Sequence, residues 1–317
     1  MPPAHSGVRL LLVAKFNQRY HRTGCALREA LRVMGCAVET VEERTRGLDA
    51  LLRRTLDSRL SAALRRHRPD LVLVFKGASL EPETIDRLRG QSAARWVNWF
   101  PDSPHLLDLS LRIGRAYDRC FIFDTSMVAR HRALGREAEY LAEGFEPAYH
   151  RPLPDAAWPR SPIAFVGSRE PLRERALEAV RPLGLSVFGP GWPRGPLYGD
   201  DFVRAFSNAD LALNVHQFFW EPESLGRYGT GANRRVFELA GIGTAQLCDA
   251  KADIARNFTE GREITLFRSA GELAEKAAAL LASPDARRDL GARARERGLR
   301  EHTWAHRLEQ LLAVALR

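Results

Sequence analysis

Short runs of Val, Ile, Leu and Phe alternate along this chain with longer amphipathic stretches, the pattern of successive βα units around a parallel sheet. Residues 8–14 and 70–76 are almost continuously apolar, as a strand buried on both faces must be. Further strands are expected at 36–41, 96–100 and 119–123, with helices at 23–35, 48–67, 81–89 and 125–134. Thr23 offers an N-cap and Gly35 a stop for the first of these helices. From Gly144 to Pro162 the periodicity vanishes and five prolines appear (Pro147, Pro152, Pro154, Pro159, Pro162), the composition of a linker. A second series follows. Strands are expected at 163–167, 186–188, 210–215, 244–248 and 264–267. Helices are expected at 171–180, 201–207, just after Asn233, and at 252–258, 270–282, 284–300 and 303–316. The reading is an α/β protein of two Rossmann-like, parallel-sheet halves, residues 1–150 and 151–302, facing a cleft, with a final helix at 303–317. In such sheets the ligand lies at the carboxyl ends of the strands.

Composition changes this picture little. The chain has 317 residues, 45% hydrophobic and 27% charged, as soluble globular proteins do. No apolar run is long enough for a transmembrane segment, and the N-terminus has no secretory pattern, so a cytoplasmic location is expected. The four cysteines, Cys25, Cys36, Cys120 and Cys248, have no C-x-x-C spacing and read as buried free thiols. The net charge is +9. The basic residues are nearly all arginines, spread over helix faces beside glutamates, without a nucleic-acid-binding motif. An arginine-heavy coding bias together with an anionic substrate explains the excess better than a nucleic-acid partner does.

The candidate chemistry lies in loops that follow strands. Residues 15–24, after the first strand, form a long polar and aromatic loop that could shape an acceptor pocket. After the fourth strand, Trp99-Phe-Pro-Asp-Ser-Pro-His105 carries two proton-moving groups, Asp102 and His105, as candidate catalytic residues. The alternative for Asp102 is a turn cap. Lys76, Gly77 and Ser79 end the third strand and line the same face. In the second half, Gly167 allows close backbone approach, Ser168 can cap the next helix, and Arg169 can reach a phosphate. Trp192 suits the rim of a base-binding site, and His216 falls at a strand end. The segment from Gly231 to Asp249 reads as loop, helix, glycine stop and strand. Arg234 and Glu238 lie on one face of its helix. There the helix N-terminus and Arg234 suit a diphosphate and Glu238 suits two hydroxyls, as a nucleotide sugar presents them; an internal salt bridge is the plainer alternative. No H-E-x-x-H, D-x-D or P-loop motif occurs, so no metal and no cofactor beyond a nucleotide-sugar co-substrate is expected.

The ordered series Phe165-Val-Gly167, Asn214-Val-His216, Asn233-Arg234-x-x-Phe237-Glu238-Leu-Ala-x-x-Gly243, Asp249, Phe258-x-x-Gly261-Arg-Glu263-Ile, Glu272-Leu and His302-Thr-Trp-x-x-Arg307 resembles the donor domain of GT-B glycosyltransferases. It is most similar to the CgeB-like (spore-maturation protein) branch. Trp99-x-x-Asp102-Ser-Pro and Phe145-Glu-Pro-x-x-His150 carry a fainter likeness in the first half. The resemblance implies metal-independent sugar transfer from a nucleoside diphosphate sugar, held by the second domain, to an acceptor on the first. Asn233, Arg234 and Glu238, with Gly167, Ser168, Arg169 and His216, would bind the donor, and the helix after Thr303 would pack back on the first domain. Many retaining relatives carry a glutamate eight residues before the ribose glutamate; here that position is Thr230. The competing readings are a nucleotide-sugar epimerase of the same architecture and a non-catalytic nucleotide- or sugar-binding module.

Overall fold

The computed structural model describes residues 5–16, 23–44, 55–217 and 229–317. They form two compact units, Met1–Ala142 with Trp304–Arg317, and Glu143–Thr303. The first unit carries β1 (Arg9–Ala14), α1 (Thr23–Val33), β2 (Ala37–Glu42), α2 (Leu56–His67), β3 (Leu71–Phe75), α3 (Pro82–Arg89), β4 (Arg95–Phe100), α4 (Leu107–Gly114), β5 (Arg119–Ile122), α5 (Thr125–Ala133), β6 (Ala138–Tyr140) and the last helix, α11 (Trp304–Ala315). Its six parallel strands run β2-β1-β3-β4-β5-β6. Leu11 and Val13 face one core with Val72, Val74 and Trp96. Leu10 and Leu12 face the other with Leu71, Leu73, Val97 and Trp99. Both faces are covered, which is why the strands read as unbroken apolar runs. α11 lies on α1, and Trp304 meets Trp99 edge-on with ring centroids 5.5 Å apart.

The second unit carries β7 (Ser161–Val166), α6 (Pro171–Glu178), β8 (Leu185–Phe188), α7 (Asp200–Ser207), β9 (Ala209–Asn214), α8 (Arg234–Ile242), β10 (Gln246–Asp249), β11 (Thr265–Phe267), α9 (Ala270–Leu281) and α10 (Pro284–Glu301). Its five parallel strands run β11-β10-β9-β7-β8. In each sheet the strand order reverses once, between β1 and β3 and between β7 and β9. Loops leaving the two strands at such a point diverge and open a crevice at their carboxyl ends.

Three expectations change. The helix expected at 48–67 does not run unbroken: Thr55 is extended, its hydroxyl accepts from the Ser58 N–H, and α2 starts at Leu56; residues 48–54 lie outside those described. Residues 252–258 are not an α-helix but a 3₁₀ turn, Ala252–Arg256. α4 was not expected, because its buried face is made by Ser110, Ile113 and Gly114, which show little apolar periodicity. All four cysteines are free; Cys25 is only half-buried. Among the described residues no helix is long and apolar enough to cross a membrane.

α8 ends at Gly243, in the left-handed region at φ 82°. There α10 presses against the backbone: a Cβ on Gly291 would lie 2.1 Å from the Gly243 carbonyl oxygen. Backbone cannot yield as a side-chain tip can, so Gly291→Ala should cost on the order of 1–3 kcal/mol of stability through overpacking. Chemical denaturation monitored on the second unit measures it; a midpoint equal to the parent's would show that the two helices separate freely.

Candidate functional site

In the second unit, polar side chains gather where β7, β9 and β10 end. The chain leaves β7 through Gly167 and Ser168. The Gly167 N–H donates to the Phe188 carbonyl at 2.9 Å, and the Trp192 indole N–H donates to the Gly167 carbonyl at 3.0 Å. Gly189, at φ 136°, lets the two segments touch: a Cβ there would lie 2.0 Å from the Gly167 oxygen. Trp192 is buried and braces this turn from below; it does not form an open rim.

Arg173, in the first turn of α6, crosses the crevice at the reversal point. Its Nε donates to the Val215 carbonyl at 2.9 Å, while Nη1 donates to the Ser168 carbonyl at 3.2 Å and the Ser168 hydroxyl at 2.8 Å. Among the described residues its Nη2 makes no hydrogen bond to protein. Burial lowers its pKa to about 10 against the favourable field of Asp249, and Arg235 adds to the lowering. Such a cation gains from any anion brought to it. Arg169 is turned away: its Nε donates to Glu174 at 3.1 Å, and its guanidinium lies over Trp192, 5.4 Å from the ring centre.

His216 is locked. Its backbone N–H donates to Asp249 Oδ1 at 2.8 Å, and its Nδ1 lies 2.7 Å from the same oxygen. The Asn233 N–H donates to its Nε2 at 3.1 Å. Because Nε2 accepts, the proton is assigned to Nδ1, which donates to Asp249. Cys248 places its sulfur near this pair, so three ligand-type atoms lie within 4.8 Å of one another. The ring nitrogens are nevertheless both engaged within the protein. Asn233 exchanges amide hydrogen bonds with Asn214, at 3.1 and 3.2 Å, and caps α8 by accepting from the Val236 N–H at 3.3 Å. This buried network fixes where α8 begins.

On α8, Glu238 is shared by two arginines. Arg234 Nε lies 3.1 Å from Oε1, and Arg235 Nη1 donates to Oε2 at 2.8 Å. Arg235 stacks on Phe202, 4.2 Å from the ring centre, which holds it in place. Burial raises the Glu238 pKa, but Arg235, then Arg234 and His150, more than offset it and hold the carboxyl at about 2. His150 Nε2 lies 3.6 Å from Oε1. Burial lowers the His150 pKa to about 4 even though Glu238 pulls the other way, so at neutral pH it meets the carboxylate as an uncharged ring. Thr230 donates its hydroxyl hydrogen to Asp253 at 2.8 Å. Glu221 and Glu223 lie outside the described residues.

In the first unit, Asp102 follows β4 and pairs with Lys76 at the end of β3, Nζ to Oδ2 2.8 Å. Lys76 and Gly77 are both left-handed, at φ 69° and 75°; for a residue with a Cβ this costs roughly 1–2 kcal/mol. His105 is exposed beside them on a 3₁₀ turn, Pro104–Leu106. Burial of its ring lowers its pKa, Asp102 raises it, and Lys76 lowers it. Arg173 and Arg235 escaped the sequence reading, since the Arg-x-x-x-Glu spacing that marks Arg234 is absent for both, and His150 entered it only through the Phe145-Glu-Pro-x-x-His150 likeness. Of the loop at 15–24, residues 17–22 lie outside those described.

Residues 169–313, less than half of the chain, match the family described as glycosyl transferase-like. No curated protein matches the sequence. Among solved structures, sucrose-phosphate synthase from Thermosynechococcus elongatus superposes with a TM-score of 0.63 at 14% identity, over 96% of this chain and 98% of that one. Anabaena HepE in complex with UDP-glucose gives 0.64 at 10% identity, over 96% and 100%. The lipopolysaccharide outer core galactosyltransferase WaaB gives 0.60 at 10% identity, over 97% and 99%. The fold is GT-B. Within it, the crevice at β7 and β9 occupies the reversal point of the second sheet, and Lys76 that of the first.

His150 provides a test by pH. The unfolded chain protonates such a ring near pH 6.5, the folded chain only near 4. Between these values the unfolded state binds more protons, so stability falls as pH drops through the window, by ~3 kcal/mol at full extent. His131 in the first unit, lowered to about 4 by burial and by Arg136, behaves alike. His150→Gln should flatten the fall for the second unit and leave that of the first unchanged, as urea titrations from pH 7 to 4 would measure. An unaltered slope would mean that the folded ring accepts the proton.

Proposed function

We propose that the protein is a metal-independent glycosyltransferase of the CgeB-like branch, moving a sugar from a nucleoside diphosphate sugar to an acceptor hydroxyl. The observation that carries this reading is Arg173 spanning the crevice between β7 and β9, with one amino group making no hydrogen bond among the described residues, over a glycine-lined turn and beside Arg235 of α8. This is an anion cradle at the reversal point of a doubly wound sheet, where phosphates are held by backbone amides, helix N-termini and guanidinium forks. The matched family and the GT-B neighbours, HepE with UDP-glucose among them, support the same reading.

The donor's diphosphate would take Arg173 and draw Arg234 off Glu238. Arg235, fixed under Phe202, would keep Oε2, leaving Oε1 to accept from the ribose hydroxyls. The salt bridge and the binding role are then two states of one carboxylate. His216 and Asn233 would act through position, by fixing the start of α8, with Gly167 and Ser168 forming the cradle's floor. Asp102 would take the acceptor proton. As the anomeric carbon–oxygen bond breaks, its electron pair leaves with the diphosphate, and Arg173, Arg234 and the α8 dipole stabilise that charge in place of a metal. The acceptor is a hydroxyl compound or another nucleophile on the first unit.

Calorimetry with UDP and UDP-glucose tests the donor half. Arg173→Met should weaken UDP binding roughly ten- to a hundredfold, the loss of one charged hydrogen-bond partner. Glu238→Gln should weaken binding less while keeping the buried shape. Parent-like affinity in Arg173→Met would remove the cradle assignment. UDP-glucose that binds and is never consumed with any acceptor would favour a binding module, and its hydrolysis to free sugar an epimerase-like site.

A further inference from the structure

Lys76 combines two features that no folding requirement of β3 explains. It is one of four lysines in a chain whose other basic residues are arginines. It also stands in the left-handed region, at φ 69°, where a side-chain-bearing residue is uncommon. The surroundings enforce that conformation. Its N–H donates to the Trp99 carbonyl at 2.8 Å. Asn98, buried in the middle of β4, gives its side-chain amide to both the Val74 and the Lys76 carbonyls, each at 3.1 Å. Gly77 follows at φ 75°, where a Cβ would come within 2.7 Å of Val74. A backbone over-determined in a sparsely populated region is a reservoir that functional sites use. Here it delivers one ammonium group to one carboxylate oxygen, at the reversal point of the first sheet.

We infer that Lys76 is the positioning residue for Asp102. The inference rests on the reading of Asp102 as the group that receives the acceptor's proton. Lys76 Nζ lies 2.8 Å from Oδ2, an oxygen shut off from solvent, and among the described residues Oδ1 accepts no hydrogen bond. The ion pair therefore selects Oδ1 as the accepting atom and fixes the plane of the carboxylate. In the reaction the acceptor O–H bond breaks and its proton passes to Oδ1. The acceptor oxygen bonds to the anomeric carbon while the anomeric carbon–oxygen bond to diphosphate breaks with its electron pair. Lys76 touches neither reactant and keeps all its protons. An arginine could not take its place unchanged, because a planar fork would engage both carboxylate oxygens.

Two measurements test this. The first needs no substrate: limited acetylation with acetic anhydride, read at each of the four lysines by mass spectrometry. Lys76 should react several-fold faster in Asp102→Asn than in the parent, with Lys276 as the internal control; equal rates would overturn the pair. The second is UDP release from UDP-glucose against a panel of hydroxyl acceptors. Lys76→Met should lower kcat at least tenfold with UDP affinity unchanged, Lys76→Arg should recover only part of it, and Lys76→Met should cost nothing more in an Asp102→Asn background. Equal losses in both backgrounds would show that Lys76 acts independently and would overturn the role. A parent enzyme that binds UDP but releases none from UDP-glucose would overturn the transfer reading and the role with it, while the acetylation result still reports on the pair.

Discussion

Along a parallel strand covered on both faces, a polar group without a partner is costly. Leu10, Leu11, Leu12 and Val13 are wholly buried in one sheet, as are Leu211 and Ala212 in the other. Polar chemistry is therefore driven to the strand ends, where helices start and carbonyls run out. Lys76 and Asp102 in the first unit and Ser168, Asn214, His216 and Asp249 in the second all obey this. Asn98 shows what an exception requires: it sits mid-strand and satisfies two carbonyls at once.

The same constraint separates two kinds of residue within the crevice of the second unit. His216, Asp249, Asn214 and Asn233 satisfy one another, and a closed buried network of this kind resists rearrangement. Arg173 and Arg234 are different. Arg173 keeps Nη2 without a hydrogen bond among the described residues, and Arg234 is only partly buried against Glu238, so each can respond to an incoming charge. Rigid floor and responsive walls belong to one crevice.

Much of this was legible in the residues. The apolar runs at 10–14 and 71–75 became strands, because double burial writes itself as unbroken hydrophobicity. The crevice was foreshadowed by Gly167-Ser168 and by the helix opening at Asn233. What stayed hidden has physical reasons. α4 buries a serine and a glycine, and Gly114 leaves the space that His131 fills. β6 is only three residues long. Arg173 is masked by an arginine-rich composition, and its value lies in three hydrogen bonds made across the fold. The arginine expected at the phosphate, Arg169, is held by Glu174, a partner one helical turn along whose reach no pattern announces. His150 and Glu238 meet only after the chain has built most of the second unit between them.

The chain passes between its two units twice, after Ala142 and again after Thr303. The second unit is continuous in sequence, whereas the first is not whole until α11 arrives. On a ribosome, residues 143–303 have their complete set of strands and helices while the first sheet still lacks the helix that covers Trp99 and Leu12. The later-made unit can thus finish before the earlier one. A fragment cut at residue 142 would expose that face, and parting the two units by proteolysis would take two cleavages.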